Sequence, residues 1–419
     1  MFMAEALPER AKLRLLCVGV SNMMMTYRSH LRVVSTAISR QPGLASRLSR
    51  KCLANRSYLT GFSMLSGLLL MGDRMKNLLG LLTGASILAA CDQGLPPVEI
   101  EATLETDSVA GTGDAADDPA VWVSAIPADS LIFGTDKDNG VYVYTMDGAE
   151  HAYLPEGRLN NVDVRYGFDL GDRRVDIAAA SDRSNGGIAF FFIDPISREV
   201  SYVGAVAQPD VVEPYGFCLY RSPVDQSLYA FLSDKDLGIF VQYAIDWDGI
   251  SVTTEEVRRV RLGTIAEGCV ADDRTGQLYM NEENVGVWTM GAEPTDPAEP
   301  QQIAHTDGRE VTADAEGAAL LPRGEAGGWL VVSSQGDNTY AVYDLDSRAF
   351  VTRLQIADAA IDGVTHTDGL DISAANLGPD FPAGVLVVQD DENDTGGQNF
   401  KFVDLRAVIA AIEAANSAD

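Results

Sequence analysis

Four carboxylates stand at the head of short apolar segments: Asp118 in Asp118-Pro119-Ala120-Val121, Glu267 in Glu267-Gly268-Cys269-Val270, Glu316 in Glu316-Gly317-Ala318-Ala319 and Asp368 in Asp368-Gly369-Leu370-Asp371. Within a few ångströms of one another such groups repel, so their pKa values rise or cations are held between them. Oxygen donors without cysteine, and with few histidines, select calcium or magnesium over zinc, and a wide, irregular site favours calcium. Singly, each acid could do no more than cap its strand; four at one repeated position argue for metal. Two lysines also recur in parallel strings, Thr135-Asp136-Lys137-Asp138 and Ser233-Asp234-Lys235-Asp236. Other catalytic machinery is missing from the sequence: there is no Arg-His-Gly or Cys-x5-Arg loop, no Walker loop and no Gly-x-Ser-x-Gly elbow, and His30, His151, His305 and His366 stand without such company.

The elements that must position these residues come from a repeat. An apolar strand, a turn rich in Asp, Asn or Ser and a second, aromatic strand recur six times, the second strands starting at Gly140, Gly187, Gly238, Gly286, Asn338 and Asn399, 47 to 61 residues apart. Each pair follows one of the four acid-headed segments, or Asn161-Val162-Asp163-Val164 or Tyr215-Gly216-Phe217-Cys218. This period is the length of a four-stranded propeller blade. The expected fold is all-β, a six-bladed propeller of four-stranded antiparallel blades, which a β-sandwich of the same length does not match. Equivalent positions then lie on a ring, and the heads of the inner strands converge at one mouth. A strand over 98–104 is expected to close the last blade, and residues 405–415 to form a terminal helix.

Charge divides the 419 residues into unlike parts. Residues 1–74 carry eleven basic and three acidic residues and resemble no packed domain; they read as an untypical extension or a mis-assigned start. Residues 75–90 read as a signal peptide, and Leu88-Ala89-Ala90-Cys91 resembles a lipobox, which makes Cys91 a lipid-anchor site and the protein exported, a cell-envelope lipoprotein or a secreted protein. Residues 91–419 form the propeller domain. Beyond residue 90 there are 19 basic and 58 acidic residues, a formal charge of −39 that excludes nucleic acid as a partner. Cys218 and Cys269 make no disulfide framework; they are expected as inert core thiols, a bond between them being the alternative.

At Asp114-Ala115-Ala116-Asp117-Asp118-Pro119-Ala120-Val121-Trp122 and Asn160-Asn161-Val162-Asp163-Val164-Arg165-Tyr166 the sequence resembles the two signature motifs of the β-propeller phytases. Asp176 to Ser181, Tyr215-Gly216-Phe217, Thr367-Asp368-Gly369 and Gln398-Asn399-Phe400-Lys401 match as well, and the similarity runs from about Glu99 to Ile412. The resemblance implies calcium-dependent hydrolysis of phosphomonoesters by a monomer, with phytate, inositol hexakisphosphate and its calcium complex, as substrate, and release of inorganic phosphate by direct attack of a metal-bound water. It implies several Ca²⁺ ions on Glu105, Asp117, Asp118, Glu267, Glu283, Glu316 and Asp368, and phosphate contacts from Lys137, Arg165, Tyr215 and Lys235. Glu267, Asp118, Lys137 and Arg165 would carry the catalysis. Two departures stand out: Asp138 occupies a place where the family often has a second Lys, and Pro214 precedes Tyr-Gly-Phe. The rival readings are a non-catalytic calcium-dependent binding propeller, which would release no phosphate, and a calcium-dependent lactonase, in which Lys137, Arg165 and Lys235 would have no obvious work.

Overall fold

The computed structural model describes residues 95–394 and 396–417; the leader and the proposed anchor at Cys91 lie outside the described residues. β1 (Val98–Glu101) and β2 (Leu104–Glu105) precede the six repeats. Blade 1 comprises β3 (Ala116–Trp122), β4 (Leu131–Asp136), β5 (Gly140–Thr145) and β6 (Glu150–Leu154). Blade 2 comprises β7 (Leu159–Asp169), β8 (Arg174–Asp182), β9 (Gly187–Ile193) and β10 (Val200–Ala207), and blade 3 comprises β11 (Pro214–Arg221), β12 (Leu228–Asp234), β13 (Ile239–Trp247) and β14 (Val252–Arg261). Blade 4 is β15 (Ala266–Asp272), β16 (Gln277–Glu282), β17 (Gly286–Gly291) and β18 (Gln301–His305). Blade 5 is β19 (Ala315–Arg323), β20 (Gly327–Ser334), β21 (Thr339–Asp344) and β22 (Phe350–Ala357). Blade 6 takes β23 (Leu370–Ser373), β24 (Val385–Asp390) and β25 (Asn399–Asp404) from the end of the chain and β2 as its fourth strand.

Ring closure differs from the expected single strand over 98–104. Val98–Glu101 adds to blade 5 as a fifth strand, parallel to β22. Only Leu104–Glu105 closes blade 6, antiparallel to β25. The fourth, outermost strand of blade 6 thus comes from the opposite end of the sequence and covers the edge of β25.

Each blade is apolar on both faces in its middle strands because it packs between two neighbours. Blades 2 and 3 share one core, in which Ile177, Phe190, Phe217, Leu232 and Val241 interdigitate. Burial of each such side chain stabilises by roughly 2 kcal/mol. The terminal helix α1 (Leu405–Asn416) is present as expected, its first turn capped by Asp404, which accepts the Arg406 N–H. Its Leu405, Val408 and Ile412 lie against Ile100, Leu354 and Val403, covering blades 5 and 6.

Candidate active site

The acid-headed segments reach the mouth through one backbone device. In five blades the inner strand loses register with its neighbour at the same level: between Ala116 and Pro119, Leu159 and Val162, Pro214 and Phe217, Ala266 and Cys269, and Ala315 and Ala318. The residues left over are Asp117-Asp118, Asn160-Asn161, Tyr215-Gly216, Glu267-Gly268 and Glu316-Gly317, and in blade 6 Asp368-Gly369 lies just before the first paired residue. Such bulges re-aim side chains away from the ladder. They also bring inner strands together: a Cβ on Gly216 would stand 1.7 Å from the Glu267 carbonyl oxygen, and one on Gly268 2.0 Å from that of Glu316. Only glycine fits there.

A second ring comes from the turns between the second and third strand of each blade. The backbone N–H of Lys137, Arg183, Lys235, Glu283, Gln335 and Asp391 donates to the carbonyl of Ala115, Arg158, Glu213, Ile265, Asp314 and Thr365 respectively, at 2.7 to 3.1 Å. All six side chains are thereby set at equivalent places around the mouth. Their chemistry is split: three cations from blades 1 to 3, and Glu, Gln and Asp from blades 4 to 6. In the cationic turns the preceding acid holds the loop, Asp182 Oδ1 accepting from Ser184 N at 2.8 Å and Asp234 Oδ1 from Asp236 N at 2.9 Å.

A cavity of about 350 Å³ occupies the mouth, and Lys137, Tyr215, Lys235, Glu267, Glu316 and Asp368 are among the residues lining it. Glu267, Glu283 and Glu316 each offer a carboxylate oxygen within 4.8 Å of the others. Burial and then Glu267 push Glu283 up to about 7 and Glu316 well above the usual carboxylate range. Burial likewise raises Asp368 and brings Asp117 to about 6, although Lys137 opposes both shifts. The Lys137 ammonium lies 2.9 Å from Asp117 Oδ1 and 2.8 Å from Asp368 Oδ2; burial weakens its charge, but these neighbours prevail and hold it firmly protonated. Among the described residues, Asp117 Oδ2, Glu283 Oε1 and Glu316 Oε2 are buried and accept no hydrogen bond. Buried acceptors without donors, all of them hard oxygens, fit a dication.

Beside this cluster, Tyr215 hydrogen-bonds to Glu267 and Glu283 and presents its ring to two cations, with Lys235 Nζ 4.0 Å and the Arg183 guanidinium 5.1 Å from its centroid. Burial, then Glu267, Glu316 and Glu283, push the Tyr215 phenol up, so it stays protonated. Arg183 has no place in the sequence expectations. Its signal was present in Ser181-Asp182-Arg183-Ser184, the counterpart of the two lysine strings.

Three expected site residues lie elsewhere. Arg165 is four residues beyond Asn161 along β7 and lines the axial cavity instead of the mouth. There it is 2.8 Å from Asp163 and 2.7 Å from Asp273 and donates to the Leu219 carbonyl, which corrects its assignment to the phosphate contacts. Asp118 also lines the axial cavity, where its Oδ2 accepts the Val162 N–H at 3.1 Å; its neighbour Asp117 is the one beside Lys137. Glu105 belongs to blade 6, where Asn399 donates to its Oε2 at 3.0 Å and Lys401 Nζ lies 3.9 Å away. The cysteines are not inert thiols: Cys218 and Cys269 form a disulfide, because blade repetition puts residues 51 apart on adjacent inner strands with Cα atoms 5.7 Å apart.

Comparison with known proteins places this geometry. Residues 70–419 match the family model described as Phytase. The chain is 40% identical over 318 residues to the 3-phytase of Bacillus subtilis (strain 168), covering 73% of this chain and 83% of that protein. Solved structures with a related outline include a protein of unknown function from Bacteroides thetaiotaomicron, at 11% identity, TM-score 0.47 and 72% of each chain. Hydrazine synthase of Kuenenia stuttgartiensis aligns at 13% identity and TM-score 0.44, over 67% of this chain and 82% of that one.

Proposed function

Because this chain belongs to the phytase family, and is therefore a phosphoric monoester hydrolase acting on phytate, we propose that it works with calcium at the mouth of the propeller, the two halves of the ring dividing metal from phosphate. A metal requirement comes with the family; the choice of calcium rests on the donor set. Glu267, Glu283 and Glu316, with Asp117 and Asp368 beside them, would hold several ions. Calcium bound there supplies charge neutralisation for the phosphoryl oxygens and acidity for water.

The protein's own groups do the rest. Lys137, Arg183 and Lys235 bind the substrate's phosphates, and Arg183 offers the planar fork that suits two phosphate oxygens at once. Tyr215 steers Arg183 and Lys235 by presenting its ring to both. Glu267, which accepts a hydrogen bond from Asn160 Nδ2, is placed to take a proton from the attacking water. No side-chain nucleophile is needed. A polyanion meeting this acidic mouth without cations would be repelled by about 4 kcal/mol per close charge pair at an effective dielectric of 20, so the metal comes first or with the substrate.

The observation that carries this reading is the split ring: Lys137 and Lys235 line one cavity with a buried triad of glutamates, and Arg183 stacks on Tyr215 at its edge. Export to an oxidising compartment belongs to the proposal, supported by the leader over 75–90, the lipobox at Cys91 and the Cys218–Cys269 disulfide. The test is phosphate release from inositol hexakisphosphate across a calcium titration. Saturable activation, lost in excess chelator, is expected; full activity in chelator, or calcium binding without any phosphate release, would overturn it.

A further inference from the structure

The Cys218–Cys269 disulfide lies at a particular seam. It joins β11 to β15, the inner strands of blade 3, the last to give a cation, and blade 4, the first to give an acid. Pairing resumes after the two bulges at Phe217 and at Cys269, so the sulfurs sit directly below the re-aimed residues: Tyr215 is three residues before Cys218 and Glu267 two before Cys269. The backbones touch here, since a Cβ on Gly216 would fall 1.7 Å from the Glu267 carbonyl. Other seams are tied near this level by hydrogen bonds: Val162 N to Asp118 Oδ2 at 3.1 Å, Leu219 N to Asp163 Oδ2 at 2.8 Å, Gly317 N to the Asp368 carbonyl at 3.0 Å and Gly369 N to that of Asp117 at 3.0 Å. Between blades 3 and 4, where Arg221 N donates to Asp273 Oδ1 at 3.0 Å, a covalent tie is added to the hydrogen bond.

That seam carries the geometry from one half of the mouth to the other. Glu267, on β15, offers a carboxylate oxygen within 4.8 Å of those of Glu283 and Glu316, and the backbone against which it packs is that of Tyr215-Gly216 on β11. Outward movement of β15 would take Glu267 from Glu316 and Glu283 and at the same time from Tyr215. A displacement of about 1 Å in a site of this kind is enough to cost a large factor in function.

We propose that the disulfide is a positioning element for both halves of the mouth: it fixes Glu267 against Tyr215, and its reduction weakens calcium binding and substrate binding together while leaving the propeller folded. The proposal rests on the calcium reading above. Reduction consumes two electrons and two protons from a dithiol, which closes to its own disulfide; the Cys218–Cys269 sulfur–sulfur bond breaks and two thiols remain.

The experiment compares the oxidised protein, the same protein in dithiothreitol, and Cys218→Ala combined with Cys269→Ala. Three quantities are read: the calcium concentration giving half-maximal phosphate release from phytate, KM at saturating calcium, and Tm in chelator. We expect half-saturating calcium to rise at least fivefold and KM at least threefold in both altered forms, with reoxidation restoring the native protein. Values within twofold of the oxidised protein would overturn the proposal even if Tm has fallen, since the bond would then be a staple alone. Loss of the β-sheet circular dichroism on reduction would overturn it too, and if the double variant does not fold, the reduced native protein decides. Should the oxidised protein ignore calcium and chelator, the calcium reading fails by that result, and KM still judges the disulfide.

Discussion

Blades 1 to 3 and blades 4 to 6 are built on one plan and differ chiefly in what a single turn position carries. The same N–H to carbonyl bond fixes Lys137, Arg183 and Lys235 in one half and Glu283, Gln335 and Asp391 in the other. In the first half the turn cations pair locally, with Asp114 and Asp368 for Lys137 and Glu213 for Arg183, or stack on Tyr215. In the second, Glu283 joins Glu267 and Glu316 in a group where burial and mutual repulsion outweigh the opposing pull of Lys235 and Tyr215 on Glu283. A repeat fold can therefore set out binding and metal-holding functions by changing residues at one symmetric position, without altering the backbone that presents them.

The largest expected effect breaks the acidic half. Chelation should cut phosphate release at least a hundredfold and lower Tm, because each ion bound only by the folded state stabilises by about 4 kcal/mol at a thousandfold excess over Kd. Glu267→Gln with Glu316→Gln should abolish the calcium-induced rise in Tm, yet melt above the parent in chelator, since the repulsion is gone. A parent that melts identically with and without calcium would erase the distinction between the halves.

The cationic half is tested by Arg183→Ala, which removes a charged phosphate contact. Loss of about 1.5–3 kcal/mol predicts a kcat/KM roughly ten- to a hundredfold lower, with the calcium-induced Tm shift intact. Arg165→Ala should do the converse, lowering Tm by stranding Asp163 and Asp273 at a cost of about 3 kcal/mol, with KM little changed. The opposite pattern in steady-state kinetics and melting would return Arg165 to the phosphate site.

A third test uses pH. Burial pushes Asp117 and Asp371 up to about 6 and Glu283 to about 7, and raises Asp118, Glu316 and Asp368 as well. Folded values above the unfolded ones mean the native state holds these protons more tightly, so stability is fully present below about pH 4 and is lost as pH rises through 6 to 7. Tm in chelator should fall by about 5 °C or more from pH 4.5 to 7.5. Calcium should flatten the curve; a Tm that rises over this interval in chelator would contradict the burial of repelling carboxyls.

The smallest effect comes from Asp138→Lys, which adds a cation on the exposed turn beside Lys137. KM for phytate should fall about two- to threefold at low salt, and the gain should vanish in 1 M salt, where charge is screened within about 3 Å.

The propeller was legible in the sequence because a strand, an acidic turn and an aromatic strand recur at blade spacing, and the heads of the inner strands proved to be the bulged residues. Arg183 was legible in principle, but the long motif around Arg165 drew the assignment to a residue that strand geometry carries some four positions down the axis. Asp118 and Asp117 are adjacent in sequence, and which of them faces the mouth depends on where the ladder slips, which spacing does not reveal. The disulfide needed knowledge that blades 3 and 4 abut at the level of Cys218 and Cys269, and the parallel docking of Val98–Glu101 on blade 5 has no signature in a four-residue stretch.

Closure of blade 6 by Leu104–Glu105 has a consequence for assembly order. Asp368, Lys401 and the partner strand β25 all come late in the chain, so the ring cannot shut until nearly the whole polypeptide is available. Blades 1 to 5 can accumulate as an open arc while the chain is still being made. Until then the glutamates and the cations face each other across a gap instead of a pocket, and a folding intermediate would be poor at both binding ions and attacking phosphate esters.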